Sequence, residues 1–132
     1  IAYILDHDPQ PELLLDERIA AQYCQALDIV DPADPQAVCS CFTSAYGRSH
    51  VRSGSYLQTS SGLRRFTPTE ILRLLGFPNA FTLPEGLSKE RAWPLVGNSL
   101  SVVAVESVLA TLGCERLIAA NFVCRLPASL TG

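Results

Sequence analysis

Arg64-Arg65-Phe66-Thr67-Pro68-Thr69-Glu70 is the stretch from which the rest of this chain can be read. Thr67 followed three residues later by Glu70 is a capping box: the hydroxyl takes the backbone N–H of Glu70, and the carboxylate returns to the N–H of Thr67. Pro68 falls at the first helical position, where its missing N–H removes no helical hydrogen bond. The spacing predicts a short helix with Ile71, Leu74 and Leu75 on its apolar side, ended by Gly76 and stopped by Pro78. Gly97-Asn98-Ser99 precedes a mostly apolar run from Leu100 to Leu112 that Gly113 closes, so a second helix is expected with Asn98 or Ser99 as its cap. Backbone N–H groups at such a start suit an anion. Val102-Val103-Ala104-Val105 would also suit a strand, but caps and length favour the helix. Its apolar residues run nearly all round, which predicts burial between other elements.

Working outward, Leu13 to Leu27 reads as an amphipathic helix, and Asp31-Pro32-Ala33-Asp34-Pro35 as a loop, since prolines push their predecessors to extended forms. Val38 to Thr43 is short and β-capable, so a strand is expected there, leading to a loop with Tyr46-Gly47-Arg48 and a second strand from Ser55 to Thr59. Arg48, His50 and Arg52 offer charge and Tyr46 a stacking face for a phosphate backbone. A plain surface hairpin is the alternative. Thr59 to Gly62 is a turn. Ser88 can cap a further helical turn through Arg91 that Pro94 ends, and Cys114 to Leu126 suggests one more amphipathic helix.

The chain has 132 residues, 48% of them hydrophobic, which is ample for one modest core. It opens at Ile1 and has no methionine, and it reads as a piece of a longer protein. The net charge of −3 argues against a generally basic nucleic-acid binder. The charge is unevenly spread, however: acids crowd the first part, while Arg48, Arg52, Arg64, Arg65 and Arg73 face only Glu70 in the middle. A local basic zone on an acidic body is one reading, a solvated charged face the other. Five irregularly spaced cysteines form no disulfide framework and fit reduced thiols, hence a cytoplasmic or also nuclear location. No signal segment opens the chain, and no apolar run nears the ~20 residues that span a bilayer. Cys39 and Cys41 lack a second pair at zinc spacing, so no metal is expected.

Arg64 to Glu70, then Leu74-Leu75-Gly76-Phe77-Pro78 with Phe81, Pro84-Glu85 and Leu95-Val96-Gly97-Asn98-Ser99-Leu100, resemble in order and spacing the last two characteristic motifs of the cytosine-5 methyltransferases. Cys41-Phe42-Thr43-Ser44-Ala45-Tyr46-Gly47, followed by Gly54-Ser55-Tyr56-Leu57-Gln58, resembles the signature of the tRNA-aspartate branch. The resemblance covers roughly Ala26 to Leu112. It implies an α/β parent with a Rossmann-like sheet, of which this chain is a small α+β C-terminal portion. Residues 1–97 would be the target-recognition region with the penultimate motif, 98–113 the last-motif helix, and 114–132 a tail.

Cytosine-5 methylation needs a thiolate to attack carbon 6 of a flipped base, an acid at the ring, and a methyl donor. In the family these come from upstream motifs: a Pro-Cys loop, a Glu-Asn-Val strand end and a glycine-rich turn. No cysteine here follows a proline, so no catalytic residue is expected and the isolated chain should be inert. The resemblance implies Asn98, Ser99 and Leu100 at S-adenosylmethionine, and Cys41, Phe42, Thr43, Tyr46, Arg48 and Arg64 near the nucleic acid, with Glu70 organising the cleft. The implied partners are the anticodon loop of tRNA and the missing N-terminal catalytic portion, with no membrane. The rivals are a DNA cytosine-5 methyltransferase, a non-catalytic binding module, and a small α+β domain similar in packing alone.

Overall fold

The capping box forms as its residues require. A computed structural model describes residues 2–6 and 11–113, and in it Thr67 Oγ1 accepts from the N–H of Glu70 at 3.0 Å while Glu70 Oε2 accepts from that of Thr67 at 2.8 Å. The helix they start, α2, runs Pro68–Leu74, with Gly76 beyond its end at φ +85°. The chain divides into two units, Ile1–Ser99 and Leu100–Gly132.

In the first unit a helix α1 (Glu17–Tyr23) leads to strand β1 (Asp28–Val30), then β2 (Ser55–Thr59) and β3 (Gly62–Arg65), before α2 and α3 (Lys89–Gly97). The sheet order is β1-β2-β3; β1 lies parallel to β2 with Asp28 opposite Ser55, and β2 antiparallel to β3 with Tyr56 opposite Arg65. A parallel pair demands a long crossover, and residues 31–54 supply it without a helix. This corrects two expectations. Val38 to Thr43 is irregular, because the edge of β2 that it would occupy is taken by β1. The hairpin is instead β2–β3, turning at Ser60-Ser61. The expected long first helix is cut to Glu17–Tyr23, with a 3-10 turn at Pro11–Leu13 just before it.

The core gathers Tyr46, Tyr56, Leu57, Phe66, Ile71, Trp93 and Val96, all nearly or wholly buried. Helix α3 continues through Pro94, contrary to the expectation that proline would end it. Pro94 lies in the second turn of α3, where the loss of its N–H is outweighed by Trp93 and Val96 packing on either side of it. Trp93 anchors the helix further by donating its indole N–H to the Phe66 carbonyl at 3.0 Å.

The second unit contains helix α4 (Val102–Thr111). Its cap is Ser101, not Asn98 or Ser99, with the hydroxyl accepting from the N–H of Ala104. None of its residues is buried, so the expected burial is not met within the described residues. By length and composition the stretch Lys89–Thr111 is apolar enough to cross a membrane, with a mean hydropathy of 1.3 over its most apolar 18 residues. The stretch is two helices interrupted at 98–101, and Trp93 and Val96 in its first part belong to a protein core, so a membrane is not indicated. The helix expected after Cys114 lies outside the described residues.

Candidate nucleic-acid and cofactor site

Residues 39–54 are irregular yet tightly held. The N–H of Thr43 donates to the Ser53 carbonyl at 2.9 Å, the Ser53 hydroxyl to the Ser49 carbonyl at 2.7 Å, and the Tyr46 hydroxyl to the Ser55 carbonyl at 2.7 Å. That hydroxyl also accepts from the N–H of Phe66 at 2.9 Å, joining the crossover to the start of α2. Burial pushes the Tyr46 phenol well above its ordinary pKa despite the hydrogen bond from Phe66, so it stays neutral. Phe42 packs edge-on against Tyr46 and Phe66 at centroid distances of 4.9 and 5.5 Å. Gly54 permits this, since a Cβ there would strike both the Phe42 and Tyr46 rings.

Asp28, at the start of β1, holds the crossover from outside. The hydroxyls of Ser40 and Ser55 both donate to its Oδ2, and Ser55 Oγ accepts from the N–H of Ser40 at 2.8 Å. Partial burial works against its charge, but the bonds from Ser40 and Ser55 outweigh it and lower the pKa below 3.8. Local sequence gave no sign of this role, because Asp28 reads as one more member of the acidic first part. Burial also pushes the neighbouring Cys39 thiol up, which keeps it protonated and unreactive.

The arginines separate into two groups. Arg64 forms a bidentate pair with Glu70, at 2.9 Å to Oε2 and 2.7 Å to Oε1, and Glu70 is fully buried. Hydrogen bonding to Glu70, opposed by burial, raises the Arg64 pKa. The same carboxylate accepts from the N–H of Asp6 at 2.9 Å, and Asp6 pairs with Arg73 at 2.7 Å. Arg65 lies with its guanidinium 5.9 Å from the Trp93 ring and against His50, its Nε buried without a hydrogen bond. Arg48 and Arg52 are exposed, so the basic zone read from sequence reduces to these two guanidiniums at the surface. Burial and then Arg65 lower the His50 pKa.

The sequence-predicted residues fall as follows. Cys41 and Arg48 are exposed, Phe42 and Thr43 half-buried, and Tyr46 is only 1% exposed, so its ring is a packing surface and not a stacking platform. Arg64 turns inward to Glu70. Asn98 caps the C-terminal end of α3 and Ser99 Oγ donates to the Leu95 carbonyl at 3.1 Å, so the anion-binding helix start expected at these residues is absent. Asn98 is exposed and its amide makes no hydrogen bond among the described residues. An amide with both donor and acceptor unspent suits the ammonium and carboxylate of an amino acid. Leu100, in the second unit, is 73% exposed. The first unit also brings the two motifs together: a Cβ on Gly97 would collide with the backbone of Thr43 and Ser44.

The family description C-5 cytosine-specific DNA methylase matches residues 25–114. The chain belongs to the C-5 cytosine methyltransferase family. Within that family it is 33% identical to a tRNA (cytosine(38)-C(5))-methyltransferase of Rattus norvegicus, over 84% of this chain and 34% of the relative. The human protein of the same name is 32% identical over 83% of this chain. Among solved methyltransferases, S. pombe Dnmt2 superposes with a TM-score of 0.74 at 28% identity, covering 88% of this chain and 42% of that one. Entamoeba histolytica EhMeth shares the fold at a TM-score of 0.77 and 23% identity, covering 87% and 40%. The chain thus spans about a third of the length of the curated methyltransferases it matches, as a small α+β piece with a three-stranded sheet.

Proposed function

We propose that this chain is the C-terminal portion of an S-adenosylmethionine-dependent tRNA cytosine-5 methyltransferase of the tRNA-aspartate branch. Residues 1–97 form the target-recognition side, and the nucleophile comes from an N-terminal portion of the same protein. The carrying observation is the contact of Gly97 with Thr43 and Ser44, which sets the last motif against the branch signature. A change in how cofactor is held at Asn98 and Ser99 is thereby coupled to the crossover that faces the substrate. Similarity to tRNA methyltransferases over most of the chain supports RNA as the substrate.

S-adenosylmethionine, when bound, supplies the methyl group. The Asn98 amide and the Ser99 hydroxyl would hold its amino-acid end. Cys41, Phe42, Thr43 and Arg48 would flank the anticodon loop, with Phe42 fixed by the aromatic cluster beneath it. Arg64 and Tyr46 act from inside, as supports of α2 and the crossover. The exposed apolar groove of α4, lined by Leu100, Ala104, Val105, Val108 and Leu109, would lie against the N-terminal portion.

The test is methyl transfer by the full-length protein to tRNA-aspartate and to duplex DNA. Transfer to tRNA, with Asn98→Ala raising the KM for S-adenosylmethionine, is expected; transfer confined to DNA overturns the reading.

A further inference from the structure

We propose that the cavity beside Asp28 and Arg52 holds one nucleotide of single-stranded RNA, with the Arg52 guanidinium on its phosphate and the Asp28 carboxylate accepting from a hydroxyl or amino group. The proposal rests on the RNA reading above and assigns it a specific subsite. The cavity has a volume of about 400 Å³ and is lined by Asp28, Ser40, Cys41, Thr43 and Arg52, which is within the size range of small-ligand sites.

Arg52 is the first reason. At φ +55° it is the one non-glycine residue with a positive φ among the described residues. Such strain persists only where surrounding structure imposes it, and it collects at ligand-handling sites. Here the imposing structure is visible on both sides: Ser53 is bonded to Thr43 and Ser49, and Gly54 is pressed against Phe42 and Tyr46. Arg52 itself makes no hydrogen bond or ion pair among the described residues, unlike Arg64 and Arg73. A guanidinium is therefore held out in a strained conformation that no intramolecular contact of its own explains.

Asp28 is the second. Both serine hydroxyls converge on Oδ2, which leaves Oδ1 with no hydrogen bond among the described residues and the carboxylate fixed and ionised. Asp28 and Arg52 line the same cavity yet form no salt bridge with each other. A simple anion would meet the charge of Asp28, and a simple cation that of Arg52. A nucleotide carries a phosphate for one and hydroxyl or amino donors for the other. Base amino groups are free in loops and spent in duplexes, so an amino donor to Asp28 selects the single strand.

The experiment measures binding of an anticodon stem-loop RNA to the full-length protein and its Arg52→Gly and Asp28→Asn variants over a range of salt. Glycine accepts a positive φ, so R52G should melt at a higher temperature than the parent while binding about tenfold more weakly. Its salt dependence should lose about one counterion's worth of slope. D28N should weaken binding with the slope unchanged. Unaltered affinity and slope in R52G overturn the proposal, as does an equal loss on a fully duplex RNA. Should the parent protein methylate tRNA while R52G behaves as the parent, only this subsite fails; a parent inactive on every RNA removes the wider reading.

Discussion

The crossover at 39–54 and helix α4 have exchanged the places their compositions suggest. The crossover is polar, glycine-bearing and without regular structure, yet it sends Tyr46, Ser53 and Gly54 into the core and satisfies their polar atoms there. Helix α4 is apolar nearly all round and well capped, yet Val103, Val108 and Leu112 are 61, 58 and 69% exposed. Burial depends on which elements are available to pack, and composition alone does not specify them. The chain spans about a third of its relatives' length, and the reading proposed above would give α4 its packing surface in the N-terminal portion.

If the crossover side is self-sufficient, breaking its internal contacts should unfold the first unit. Glu70→Ala leaves the Arg64 guanidinium buried and unpaired, and should cost about 3–5 kcal/mol in urea denaturation. A loss below 1 kcal/mol would mean Arg64 escapes to solvent. Gly97→Ala drives a methyl into the Thr43 backbone and should cost roughly 1–3 kcal/mol. It should also make residues 42–54 exchange amide hydrogens faster, whereas a merely local effect would leave them protected. Thr67→Ala removes the α2 cap and should cost about 1 kcal/mol.

On the other side of the comparison, Val103→Ser with Val108→Ser should leave the stability of this chain within ~0.5 kcal/mol by thermal denaturation. The same pair in the full-length protein should lower its melting temperature. No change there would detach α4 from any buried role. The smallest effect concerns pH. The folded-state pKa of His50 is depressed below 6.5, so the native state binds fewer protons than the unfolded chain, and stability is full above 6.5 and declines as pH falls through the lower folded value. His50→Gln should flatten that decline in a pH series of melting temperatures.

The α2 capping box, the Gly76 and Gly113 helix ends and the β2 strand were legible because each is set by residues within a few positions of one another. The family motifs were legible for the same reason. Strand β3 was not, since Leu63-Arg64-Arg65 carries no alternation and becomes a strand only by pairing with β2. Asp28 reads as surface charge until the parallel register sets it opposite Ser55. Asn98 has the residue type of a helix start and the position of a helix end, because Trp93 and Val96 hold α3 in place across Pro94 up to Gly97. Local hydrogen-bond chemistry lies within the reach of neighbouring residues. Strand partners, the inward turn of Arg64 and the strained Arg52 depend on contacts between distant parts of the chain, which only the folded protein brings together.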